Sequence, residues 1–181
     1  MSSRRPFAGA LSIAILAAGG CASTSGVTAP DVPAPLRPPA GQVAFLEALA
    51  SGVQVYECGP TADGSGMHEW AFRAPEATLA DRSGRSLGTH YAGPTWASTD
   101  GSTVVGAVAA RDAGPTASAI PWLLLTAKSV DGAGLFGKTT SIQRVNTVGG
   151  MAPAQPCGAA NAGQQARVPY TAAYYFYRAG S

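Results

Sequence analysis

The chain has 181 residues, of which 46% are hydrophobic and only 12% charged, about half the charged fraction of an average soluble domain. It carries 12 Lys and Arg against 10 Asp and Glu, and with Arg4 and Arg5 placed in a leader the two signs balance. No basic patch is visible in the sequence, so an electrostatic driver for nucleic acid is missing, and stability has to come from burial rather than ion pairs.

The N-terminus reads MSSRRPFAGALSIAILAAGGCAS. Arg4 and Arg5 form a positive n-region, and the apolar run from Phe7 to Ala18 is too short to span a bilayer. Gly19, Gly20 and Cys21 follow in the manner of a bacterial lipobox, with Ala18 where Leu is usual. The expectation is a signal peptide over 1–21 whose Cys21 is lipidated, giving a lipid-anchored protein of the outer membrane or periplasm. An ordinary signal peptide and a secreted protein are the alternative. Residues 22–41 include TAPDVPAPLRPPAG, whose prolines and small residues predict a disordered, extended tether.

From 42 to 181 the length suits one domain. Turn chemistry recurs in it: SG at 51–52, ADGSG at 62–66, DRSGR at 81–85, STDGS at 98–102, DAGP at 112–115, DGAG at 131–134 and VGG at 148–150. Between these lie short apolar or alternating runs. QVAFLEALA has helix-favouring residues, but its brevity and Gly52 suit a hairpin into VQVYEC. VQVYEC and EWAFRA alternate. RAPEATLADRSGR predicts strand, turn and strand, with Glu76 and Asp81 exposed or satisfying turn N–H groups. WLLLTA is apolar on both faces, as in a central strand. TSIQRVNT and RVPYTAAYYFYR complete the series, the last with Val168, Tyr170, Ala172, Tyr174 and Phe176 on one face. Many short strands with Gly-rich turns predict an all-β fold, a mostly antiparallel β-sandwich or barrel. Trp70, Trp96 and Trp122 are expected to anchor its core, ligand stacking being their alternative role.

The segment DGAGLFGKTT matches two nucleotide motifs. Gly132, Gly137, Lys138 and Thr139 fit the phosphate-cradling loop, and Gly132, Gly134 and Gly137 fit the dinucleotide fingerprint. Both need a helix to follow, because its N-terminal N–H groups hold the phosphate. The residues after Lys138 are β-branched and end in a Gly pair, which predicts a strand, and no Asp or Glu follows Asp131 to bind a ribose. No nucleotide is expected.

If Cys21 carries lipid, Cys58 and Cys157 remain. In an oxidising compartment two cysteines most simply form one disulfide; a metal or redox pair is the alternative. The densest polar and aromatic cluster is HYAGPTWASTDGSTVVG. His90, Tyr91, Trp96 and Asp100 in it, with His68 from GMHEW, form the candidate ligand pocket. Two histidines without a paired spacing fall short of a standard metal site, so no metal or other cofactor is expected. No nucleophile elbow is present. Glu57, Glu69, Glu76, Asp81 and Asp100 could supply two carboxylates for glycoside chemistry, a pattern common to β domains.

The strings GVQVYEC, W-x-F-x-APEA-x-L-x-D, G-x-HYAGPTW-x-x-x-DGS-x-VVG, IPWLLL, IQRVNT-x-GG-x-AP and Y-x-A-x-YYFY together resemble the domain-of-unknown-function family DUF3455. The resemblance spans nearly the whole domain. It implies an all-β exported domain with Cys58 and Cys157 at the family's cysteine pair, and it implies no activity. The functional expectation is a non-enzymatic envelope domain, structural or binding a small apolar ligand or an envelope protein. An enzyme or metal protein centred on His90 is the alternative.

Overall fold

The computed structural model describes Met1 and residues 26–180. The signal peptide and the lipidation expected at Cys21 lie outside the described residues. Eight strands run in sequence: β1 (Gln42–Pro60), β2 (His68–Ala80), β3 (Ser86–Tyr91), β4 (Thr95–Ser98), β5 (Thr103–Asp112), β6 (Trp122–Asp131), β7 (Ser141–Gly149) and β8 (Gln165–Ala179). Each pairs antiparallel with the next and β8 closes on β1. Of the two all-β forms the sequence left open, the barrel is the one adopted. Every strand has a neighbour on each side, but β3 and β4 are short: β2 pairs with β3 only over Ala77–Ala80 and β5 with β4 only over Thr103–Val105, so the rest of those two edges stays open.

The period-two pattern sorts side chains between inside and outside. Tyr170, Ala172, Tyr174 and Phe176 of β8 point inward with Leu79, Trp96, Val104, Leu125 and Ile142. Their neighbours Ala173, Tyr175 and Tyr177 join Leu124 and Val145 in a second cluster on the outer face. Both faces of WLLL and YYFY are therefore buried, as their composition requires. Of the three tryptophans, Trp96 is fully buried in the interior, Trp122 packs on the outer cluster and Trp70 is half-buried, its Nε1 donating to Gln155 O at 2.9 Å.

Two expectations are corrected. QVAFLEALA does not turn at Gly52; it continues through it as the 19-residue strand β1. Gly52 pairs with Ala77 on one side and Tyr170 on the other, and a Cβ there would come within 2.5 Å of the Ala77 Cα. The glycine serves close strand approach rather than reversal. The disordered tether also fails, from Val27 onward. Val32 and Leu36 are buried against the outer cluster, and the short 3-10 turn Ala34–Leu36 sets Leu36 in place. Gln143 Nε2 donates to Leu36 O at 2.6 Å, and Tyr177 OH donates to Gln143 Oε1 at 2.5 Å. The prolines pre-extend a strap that covers apolar surface the sheet leaves outside.

The two barrel ends differ. At one end lie the turns 81–85 and 99–102 and the loop 132–140, the last two in contact through Asp100 and Ser102. Asp81 Oδ1 accepts from the backbone N–H groups of Ser83 and Arg85, one of the two roles expected of it. The loop 132–140 is followed by strand β7, so the helix that either nucleotide motif requires is not there. Its glycines have packing reasons. A Cβ on Gly134 would run into the Asp100 carboxylate, and one on Gly137 would come within 2.6 Å of Gly132 O. The Leu135 N–H donates to Asp100 Oδ2 at 2.7 Å and the Phe136 N–H to Ser102 Oγ at 3.1 Å. These bonds aim Phe136 into the barrel, where it packs on Phe176 at 4.7 Å and closes that end. Lys138 is exposed.

Candidate functional site: a cavity at the open end of the barrel

The opposite end is ringed by the β1–β2 connection, the β3–β4 turn at Ala92–Pro94, the β5–β6 loop and the long β7–β8 loop. The Cys58–Cys157 disulfide ties the last of these to β1, with Cα atoms 5.6 Å apart, and the Ala119–Gly150 bridge ties it to the β5–β6 loop. An eight-stranded barrel has an interior just wide enough to be filled by side chains or to hold one small ligand. Here Phe136 and its neighbours fill one half, and a cavity of about 460 Å³ occupies the other, within the range of roughly 300–1,000 Å³ usual for small-molecule sites.

His90 and Trp96 are cross-strand partners on β3 and β4. Their rings stack at 4.4 Å and 13°, and Tyr174 meets both edge-on at 5.0 and 5.3 Å. His90 Nδ1 lies 2.8 Å from Thr95 O, so it carries the proton and donates, leaving Nε2 as an acceptor. Burial is the main reason that the His90 pKa falls to about 3; the Thr95 bond opposes the shift, and Arg144 adds to it. The ring is neutral at physiological pH. Burial likewise pushes the Tyr170 and Tyr174 hydroxyls well above the usual phenol range, so both stay protonated.

Leu123, Leu125, Ile120 and Trp96 supply apolar wall, and the half-exposed Phe72 and Val108 carry it to the mouth. Arg73, Arg111 and Arg144 also line the cavity, and no Asp or Glu does. Arg144 directly faces Tyr174 across the β7–β8 pair, and its Nε and Nη2 donate to Pro121 O at 3.1 and 2.8 Å.

The residues expected to form a pocket are thus divided. His90 and Trp96 line the cavity. Tyr91, one residue out of phase with His90, points away and is exposed. His68 opens β2 opposite Pro60 and is not in the wall, and Asp100 belongs to the closed end. Glu57 and Glu76 pair with Arg73 and Arg167 on exposed surface. A single imidazole with no Cys, Asp, Glu or second His beside it in the wall does not make up a zinc or copper ligand set, and no such group of three occurs among the described residues. Nor does the wall contain a nucleophile–base pair.

Arg144, Gln54 and Tyr174 were not among the expected site residues. Strand parity could have found them: Arg144 is in phase with the fully buried Ile142, and Gln54 with the buried Tyr56.

Fold and cavity define a small closed β-barrel, plugged at one end and hollow at the other. Residues 39–178 match the family described as Protein of unknown function (DUF3455), and the chain belongs to that family. No curated protein and no solved structure matches the chain.

Proposed function

We propose that this is an exported, lipid-anchored domain that binds one small, largely apolar molecule in its open-end cavity without transforming it. The observation that carries the reading is the cavity itself. It sits inside a barrel whose other half is tightly filled, its walls are aromatic and aliphatic, and its apolar lining reaches the surface at Phe72 and Val108. The Cys58–Cys157 bond suits an oxidising compartment, which fits the leader-like N-terminus and Cys21 as the acylation site. A neutral His90 with no partner carboxylate serves as wall and hydrogen-bond acceptor.

The test uses the neutral fluorophore N-phenylnaphthylamine and the protein lacking its leader. Saturable fluorescence enhancement, abolished in Val108→Trp with the fold retained, is the expected result. Val108 lies at the mouth and is half-exposed, so a larger ring there blocks entry without disturbing the core. An absence of binding rejects the cavity reading, and binding unaffected by Val108→Trp places the ligand elsewhere. Acylation is tested separately by palmitate labelling of the full chain, lost in Cys21→Ser.

A further inference from the structure

Four buried polar atoms in and beside the cavity wall have no hydrogen-bond partner: Gln54 Nε2, Trp96 Nε1, Tyr170 OH and Tyr174 OH. Their residues are at most 3% exposed, so water access is slight and each orphan carries a desolvation cost. The four share a chemical bias. An amide NH₂ and an indole N–H can only donate, and a phenol can donate. Three of them form one group: the Tyr170 hydroxyl interacts with Tyr174 and Gln54 and the Tyr174 hydroxyl with Tyr170 and Arg144, contacts that fall short of hydrogen-bond geometry and leave the atoms unsatisfied. Arg144 adds a fixed positive charge, with no carboxylate within 4.0 Å of it among the described residues. Its fork is half used on Pro121 O, which orients the guanidinium and leaves further N–H groups to donate. The group therefore has donors and positive charge in excess and lacks an acceptor-only anion.

Resting on the cavity reading above, we propose that the occupant is a monocarboxylate amphiphile. Its carboxylate is seated against Arg144, Tyr174 and Gln54, and its apolar body lies along Trp96, Leu125 and the Phe72–Val108 mouth. A carboxylate accepts at both oxygens, satisfies the orphan donors and offsets the Arg144 charge in a site where water does not screen it. A neutral alcohol of the same length fills the same apolar volume but answers neither need. The anionic head is thus a specificity element added to the apolar one.

The experiment compares acids with their own alcohols by displacement of N-phenylnaphthylamine: hexanoate with hexanol, decanoate with decanol, cinnamate with cinnamyl alcohol. For any pair that displaces the probe, the acid is expected to bind about tenfold or more tightly. Tyr174→Phe, which removes the hydroxyl and keeps the ring, and Arg144→Met should both erase that preference by weakening the acid. Arg144→Lys should keep part of it, because the charge survives and the fork does not. Thermal melts of each variant check that the barrel is intact. Equal binding of acid and alcohol, or a preference that survives both Tyr174→Phe and Arg144→Met, overturns the anionic-head inference and leaves the apolar cavity standing. Failure of the fluorophore and of every acid and alcohol to bind removes both.

Discussion

The His90 imidazole lies flat on the Trp96 indole, centroids 4.4 Å apart, with its Nδ1–H spent on Thr95 O. Protonating Nε2 would put a charge into an apolar wall already facing Arg144, so the folded pKa stands near 3 against 6.5 for a free ring. The sign follows from linkage. Below pH 6.5 the unfolded chain takes up a proton that the folded chain refuses, so stability falls as pH falls, by at most about 1.4 kcal/mol per unit, until pH approaches 3. Asp63, Asp81 and Asp100, each held down to about 2 chiefly by a side-chain hydrogen bond, contribute stability that is lost only as pH falls below their usual 3.8. Urea denaturation between pH 6.5 and 4.5 is expected to show a falling stability that flattens in His90→Phe. An unchanged slope in that variant would mean that His90 is not the titrating group.

At the closed end, Asp100 reaches across to the loop 132–140 and accepts the Leu135 N–H. Phe136 is the plug that this bond helps to aim. Phe136→Ala should cost about 3–5 kcal/mol as a fully buried aromatic. Asp100→Ala should speed amide exchange at Leu135 and lower the melting temperature. Lys138→Ala, at an exposed position, should change stability by no more than about 0.5 kcal/mol. Isothermal titration with ATP or NAD should show no heat from the wild type. Saturable ATP binding lost in Lys138→Ala would reinstate the phosphate loop.

How much of this was legible depended on which forces act locally. Alternation in TAAYYFY and the double-faced WLLLTA reported burial directly, because a strand's side-chain period is two whatever the topology. The strand after Lys138 was legible for the same reason, from β-branching in KTTSIQ. Gly52 was not, because a glycine that lets two neighbouring strands approach looks in one dimension like a glycine that turns. Nor was the strap: a proline-rich segment carries no period, and burial of Leu36 depends on Gln143 and Tyr177, more than 100 residues away. Of the residues expected to share a pocket only His90 and Trp96 line the cavity, because proximity in sequence is not proximity in space. Tyr91 and Asp100 are near His90 along the chain, but one is out of phase and the other lies at the far end of β4. Arg144 and Tyr174 come from other strands and were hidden for the same reason.

The Cys58–Cys157 bond spans a sequence separation of 99 and fastens the β7–β8 loop to the end of β1. Cross-linking at such a distance restricts the unfolded chain strongly, and removing a native bond of this kind typically costs about 2–5 kcal/mol. Cys58→Ser with Cys157→Ser is expected to lower the urea midpoint accordingly. Limited proteolysis should then cut first between residues 150 and 164, where the fastening is lost. A midpoint equal to that of the oxidised wild type would show that the loop is held by its other contacts alone, such as Trp70 Nε1 to Gln155 O.

The strap poses the last test, because its removal separates what forms the barrel from what covers it. Leu36 is fully buried, but on a segment joined to the sheet by few bonds, so its loss can be relieved by detachment as well as by cavity formation. Deleting the residues before Pro39 removes Val32 and Leu36 from Leu124, Val145 and Tyr177 and takes the Leu36 carbonyl from Gln143. The strand pairings β1–β8 and β7–β8 involve none of the deleted residues, so the barrel should persist, with native far-ultraviolet dichroism and unchanged N-phenylnaphthylamine binding. It should lose about 2–5 kcal/mol and expose an outer apolar patch, read as a second, non-saturating dye signal and a rise in self-association. Leu36→Ala alone should cost no more than the deletion, since detaching the strap sets an upper limit to the loss. If the point variant costs clearly more, the strap cannot let go, and it belongs to the folding unit rather than lying over it.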